Sequence, residues 1–227
     1  YSVFAGKPAS LFKSSIVRFY LLSLLAGGLL VSLNIRLGGS VNEWGTAFRQ
    51  GFFQVISIGT TTGFATADST MWPSFSMLVL IYFMFQCACS GSTTGGLKAD
   101  RVFIFLSSIK AHLKRQVHPN AVVSIKVNNH SLERDMVYSV NLYIAIYITM
   151  VFLVTMLLTL FGMELTEAFS SSAACMGNVG PGFGSVGSLG NYSDFPFVAK
   201  LLLSVQMLLG RLEIYPIMLL FVVFRSR

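Results

Sequence analysis

Four apolar stretches, at about 16–33, 72–90, 137–160 and 195–224, approach the length a helix needs to cross a bilayer, ~20 residues. A segment in lipid must satisfy its own backbone polar groups, which leaves helices or closed barrels. Barrels need short alternating segments, and these runs are long and continuous. Composition agrees: 54% of residues are hydrophobic and 11% charged, with mean hydropathy +0.69, against about 25% charged in soluble domains. The expected fold class is an all-α polytopic membrane protein.

Charge orients the spans. Lys7, Lys13 and Arg18 precede the first. Lys98, Arg101, Lys110, Lys114, Arg115, Lys126 and Arg134 lie between the second and third, and Arg225 and Arg227 close the fourth. The positive-inside rule puts these in the cytoplasm. Glu43, Asp68, Glu164, Glu167 and Asp194 then fall outside, where carboxylates concentrate cations or serve as ordinary loop surface. Arg36, Arg49 and Lys200 oppose the trend. The net charge of +7 is spread between spans instead of forming one stripe, so no nucleic-acid partner is expected. Cys87, Cys89 and Cys175 sit among apolar or small residues and read as packing groups. The opening Tyr1-Ser2-Val3-Phe4 has neither Met nor a signal-peptide pattern and suggests a segment of a longer protein.

Each pair of spans brackets a segment too short to cross. The first, 45–57, leads into Ile58-Gly59-Thr60-Thr61-Thr62-Gly63-Phe64. The second, 165–175, leads into Met176-Gly177-Asn178-Val179-Gly180-Pro181-Gly182-Phe183-Gly184. Aligning Gly63 with Gly180 also places Gly51-Phe52 over Ala168-Phe169, so a unit of helix, re-entrant loop and helix is used twice. Irregular backbone at membrane depth persists only around a water-filled path. Its carbonyls can there replace the hydration shell of a monovalent cation, near the negative end of a short helix. Gly63 and Gly180 permit the unusual backbone angles, and the hydroxyls of Thr60, Thr61 and Thr62 offer further oxygens.

Ser57-Ile58-Gly59-Thr60-Thr61-Thr62-Gly63-Phe64-Ala65-Thr66-Ala67-Asp68, Gly91-Ser92-Thr93-Thr94-Gly95-Gly96-Leu97-Lys98, the Gly177 to Gly184 run and Gly210-Arg211-Leu212-Glu213 together resemble the Trk/Ktr/HKT superfamily of potassium transporters, nearest to the bacterial Trk membrane subunits. The resemblance covers nearly the whole chain. It implies tandem helix/pore-loop/helix repeats of the potassium-channel-like pore type, four in all around one pore, of which these resemble the third and fourth. Residues 1–118 and 137–227 would be the two repeats and 119–136 a cytoplasmic connection, with two further repeats preceding them. Filter carbonyls would come from Thr61, Thr62, Gly63 and Phe64 and from Asn178, Val179, Gly180 and Pro181. One filter glycine per repeat stands where ordinary potassium channels have two, which implies weaker rejection of sodium. The transported ion would be K+ with no organic cofactor. The protein would be a multi-pass, homodimeric component of the inner (plasma) membrane, docked on a cytosolic ring of nucleotide-binding regulatory subunits.

The second span is interrupted at 89–96, where small residues and glycines disfavour helix by up to ~1 kcal/mol per Gly. About 20 residues after Trp72, at 1.5 Å each, put the break roughly 30 Å below the outer surface. The resemblance makes Gly91, Ser92, Thr93, Thr94, Gly95, Gly96 and Lys98 a mobile gate under the filter; a structural kink is the competing reading. A nucleotide P-loop fits poorly, since Lys98 comes one residue late after Gly96, Ala99 stands where Ser or Thr is required, and no strand precedes it. Arg211 lies inside an apolar run, where a charge faces a cavity or partner, or snorkels. The resemblance places it beneath the filter, repelling cations. The basic stretch 104–129 with His112, His118 and His130 near it suits anionic lipid or a soluble regulator. Among rival functions, a two-repeat cation channel subunit that dimerises to complete a four-strand filter uses the same features. No enzyme is expected, because the sequence shows no paired intramembrane carboxylates, His cluster or nucleophile-base set that a membrane enzyme would need.

Overall fold

The computed structural model describes residues 14–89, 91–92, 94–118, 123–128 and 130–212. Ser90, the expected gate residue Thr93, Glu213, Arg225, Arg227, Lys7 and Lys13 lie outside these. Seven helices run in the order α1 (Ser15–Leu37), α2 (Trp44–Gly59), α3 (Ser74–Phe85), α4 (Ala99–Val117), α5 (Arg134–Leu160), α6 (Leu165–Gly177) and α7 (Phe197–Arg211) among the described residues. Between α4 and α5 two short antiparallel strands, β1 (Lys126–Val127) and β2 (His130–Ser131), pair Lys126 with Ser131 and Val127 with His130.

The first and third expected spans become α1 and α5, each long and apolar enough to cross a membrane. Both carry exposed large apolar side chains, including Leu22, Leu25 and Leu29 on α1 and Phe152, Met156 and Leu160 on α5. In water such a surface would be a liability; against lipid or other helices it is the favoured one. Two contrary cations have local partners. Arg36 ends α1, where the helix dipole favours a positive charge, and lies 5.4 Å from the centre of the Trp44 ring. Lys200 donates to the Ser193 carbonyl at 2.6 Å.

The second span differs from expectation. Helix α3 stops at Phe85, before the expected break, and its 12 residues cover only about 18 Å. The chain trades helical bonds for longer-range ones: Cys87 N–H donates to Leu97 C=O at 2.9 Å, and Ala99 N–H to Ala88 C=O at 3.1 Å. Gln86, almost fully buried, anchors the crossing by donating to the Ser23 hydroxyl at 2.7 Å and accepting from Tyr82. Of the fourth span, α7 accounts for the part up to Arg211.

Small residues let the short helices approach the long ones. A Cβ added at Gly28 would lie 2.5 Å from the Phe52 ring, and one at Gly51 2.4 Å from the Ser32 hydroxyl, which brings α1 and α2 together. In the second half hydroxyls serve the same end. Ser172 on α6 donates to Val151 C=O on α5 at 2.9 Å and accepts from Gln206 on α7 at 2.8 Å, all three residues being buried.

Candidate functional site

The two loops expected to be re-entrant share a pair of turn bonds. In the first, Thr61 N–H donates to Ile58 C=O and Thr62 N–H to Ser57 C=O. In the second, Asn178 N–H donates to Cys175 C=O and Val179 N–H to Ala174 C=O. Every partner in the second set stands at the position that the Gly63/Gly180 alignment assigns. Backbone angles repeat as well: φ is 56° at both Thr61 and Asn178, and 75° and 107° at Gly63 and Gly180. The left-handed residue ends each short helix and turns the chain. Asn tolerates that conformation; in Thr61 the branched Cβ makes it a strained one, of order 1–3 kcal/mol, which the surrounding bonds must hold.

The loops lie against each other. A Cβ at Gly63 would come within 2.4 Å of the Val179 carbonyl oxygen and 3.5 Å of Pro181 Cδ. Beyond this contact, Gln54 on α2 donates to the Ser188 hydroxyl at 3.2 Å, Ser188 also shares a hydrogen bond with Ser69, and Gly187 packs on Thr70. The Phe64 side chain is 68% exposed. Not all the expected oxygens are free. The Thr60 hydroxyl donates to Ile56 C=O and is 2.8 Å from that of Thr62. Phe64 C=O accepts from the Ser57 hydroxyl at 2.6 Å, and Gly180 C=O from the Tyr192 hydroxyl at 2.8 Å. Burial, with Cys175 beside it, pushes the Tyr192 phenol above its ordinary pKa, so it stays a donor. Sequence reasoning singled out neither hydroxyl. Of the carboxylates expected outside, Glu43 accepts from Thr46, Asp68 from Thr70 and Glu167 from Ser185 N–H. Of these, Asp68 caps the short turn that follows it, and Glu167 ties α6 to the loop at Ser185.

Below the second loop Asn178 joins several elements. Its amide donates to Met207 C=O on α7 at 3.1 Å, and a Cβ added at Gly95 or Gly210 would lie 2.6 or 2.9 Å from its Nδ2. A Cβ at Gly96 would lie 2.5 Å from Cys87 Sγ and 3.1 Å from Gly177 Cα. The Cys87 thiol donates weakly to Gly177 C=O at 3.7 Å. The interrupted segment therefore has two parts. Gly95 and Gly96 are buried and wedged against the end of α6. Gly91 is exposed at φ 89° with nothing within 4 Å of its missing Cβ, and Ser92 and Thr94 bond each other. Lys98 caps the start of α4, half-exposed. Arg211 is exposed at the end of α7, directly after the packed Gly210. Farther along, α4, the start of α5 and the residues flanking the strand pair line an open pocket of about 960 Å³ that includes His112, Arg115, Arg134 and Tyr138. Arg115 there donates to Val123 C=O at 2.6 Å.

The TrkH family model, described as a cation transport protein, matches residues 11–226. The Trk system potassium uptake protein TrkH of Salmonella typhimurium is 40% identical over 177 residues, covering 78% of this chain and 36% of that protein. The Trk system potassium uptake protein TrkI of Halomonas elongata is 35% identical over 176 residues, covering 77% and 36%. The crystal structure of the potassium transporter TrkH from Vibrio parahaemolyticus superposes with TM-score 0.88 at 32% identity, over 97% of this chain and 47% of that one. The chain thus spans about a third of these curated relatives and about half of the solved structure. An all-α membrane fold, paired loops of one design and a family match along nearly its whole length together make this chain a member of the TrkH family of cation transport proteins.

Proposed function

We propose that the chain forms two of the four sides of a potassium-conducting pore in the inner (plasma) membrane. The observation that carries this reading is the contact between two loops that share their turn bonds, with Gly63 against the Val179 carbonyl. Two such strands, completed by two from preceding repeats, surround an axis with peptide oxygens. A potassium ion that sheds water there meets the carbonyls of Thr61, Thr62, Gly63 and Phe64 and of Asn178, Val179, Gly180 and Pro181. The C-terminal ends of α2 and α6 add negative potential. Metal coordination by acidic side chains plays no part in this reading.

Gating falls to the interrupted segment and Arg211. The 91–94 portion moves, turning at the exposed Gly91, while Gly95 and Gly96 stay docked on α6. A fixed positive charge at Arg211 opposes cations in the closed state. The basic face of α4 meets a cytosolic nucleotide-binding ring, and two complete copies pair in the membrane. The relatives named as Trk system potassium uptake proteins support the choice of ion.

The test is growth of a potassium-uptake-deficient cell at limiting potassium. Full-length protein should restore growth and Gly63→Ala, which drives a methyl into the Val179 carbonyl, should abolish it at equal membrane abundance. No rescue by the unaltered protein, or full rescue by the variant, overturns the reading.

A further inference from the structure

Two of the carbonyls expected to face an ion are already engaged, and by unrelated means. Ser57 binds Phe64 C=O from within α2, where it is 5% exposed. Its counterpart in the second loop is Ala174, which has no hydroxyl. There Tyr192 takes over, binding Gly180 C=O from the segment leading to α7. Its ring stands edge-on to the buried Phe195, 5.3 Å between centroids, so the phenol is itself held in place. The strands are therefore tethered at adjacent levels, one at the filter glycine and the other just after it.

Gly180 has reason to need a tether. At φ 107° and with nothing within 4 Å of a Cβ position, its peptide has room to turn. The Tyr192 hydroxyl supplies the bond that opposes turning. We propose that Tyr192 and Ser57 are positioning residues for ion selection, each holding one filter carbonyl against inward movement toward an ion smaller than potassium. This rests on the transport function proposed above. A smaller cation is well coordinated only when the surrounding oxygens close in. An oxygen that accepts a hydroxyl from the wall must give up that bond to do so. One neutral hydrogen bond corresponds to about a two- to ten-fold effect on the preference.

The experiment uses full-length protein in vesicles, with rubidium uptake as the flux and the ratio of inhibition by K+ and Na+ as the readout. Tyr192→Phe and Ser57→Ala each remove one hydroxyl. Thr149→Val removes a hydroxyl that serves only Ala145 C=O on α5, away from the loops. The expected result is retained uptake with the K+/Na+ preference lowered about two- to ten-fold in the first two and unchanged in the third. If Tyr192→Phe is not monodisperse, Ser57→Ala decides on the same ratio. Wild-type preference in folded Tyr192→Phe and Ser57→Ala overturns the proposal and leaves the transport function standing. Failure of the unaltered protein to move rubidium overturns both.

Discussion

Replacing Gly96 and Gly91 by alanine tests the proposed division of the interrupted segment into a docked and a mobile part. Both glycines have positive φ, 72° and 89°, so each substitution carries the same backbone cost, about 1–2 kcal/mol. Only Gly96 adds a collision. Its new methyl would meet Cys87 Sγ at 2.5 Å and Gly177 Cα at 3.1 Å, and the sulfur cannot retreat because it is buried against the Met84 and Gly177 carbonyls. Overpacking of this kind costs about 1–3 kcal/mol more. The expected order of thermal stability for the purified full-length protein is wild type, then Gly91→Ala, then Gly96→Ala. Shortening the obstructing side chain by Cys87→Ala should return part of the Gly96→Ala loss, since the two sites share one contact. That double-mutant coupling should reach about 0.5–3 kcal/mol. Uptake should divide the other way, with Gly91→Ala impairing flux out of proportion to its stability loss. Equal destabilisation by both alanines, together with no recovery on adding Cys87→Ala, would refute the division of the segment into docked and moving parts.

Other outcomes follow from single contacts. Arg211→Ala should raise cation flux in a rubidium uptake assay, and unchanged or lower flux at equal abundance counts against its gating role. Asn178→Ala removes the bond to Met207 C=O and puts alanine at φ 56°, so thermal stability should fall by about 1–2 kcal/mol. Ser172→Ala cuts the buried link from α5 through α6 to α7 and strands the Gln206 amide. Its cost, read from the melting temperature, should be about 1–3 kcal/mol.

Much of this architecture is legible from spacing. Residues 16–33 and 137–160 are unbroken apolar runs of crossing length, and α1 and α5 cover them. The repeated order of a short helix and a Gly loop carries the Gly63/Gly180 alignment because local bonds to the preceding helix turn shape both loops. The end of α3 is not legible in that way. Gln86-Cys87-Ala88-Cys89 contains no Gly or Pro to stop a helix, and pairing with residues far along the chain, 97 and 99, draws it out of the helix. Tyr192 stayed hidden for the same reason. It reaches Gly180 across a loop with no periodicity, and nothing in its neighbours marks a phenol that will find a particular carbonyl.

Ser188 belongs to the second half of the chain yet bonds to Gln54 and Ser69 of the first. A chimera that took only one repeat from a relative would place a foreign side chain at one end of this clasp. Compatibility between halves is thus partly decided at the rim, several residues from the glycines, and exchanges should succeed most often when Gln54, Ser69 and Ser188 travel together.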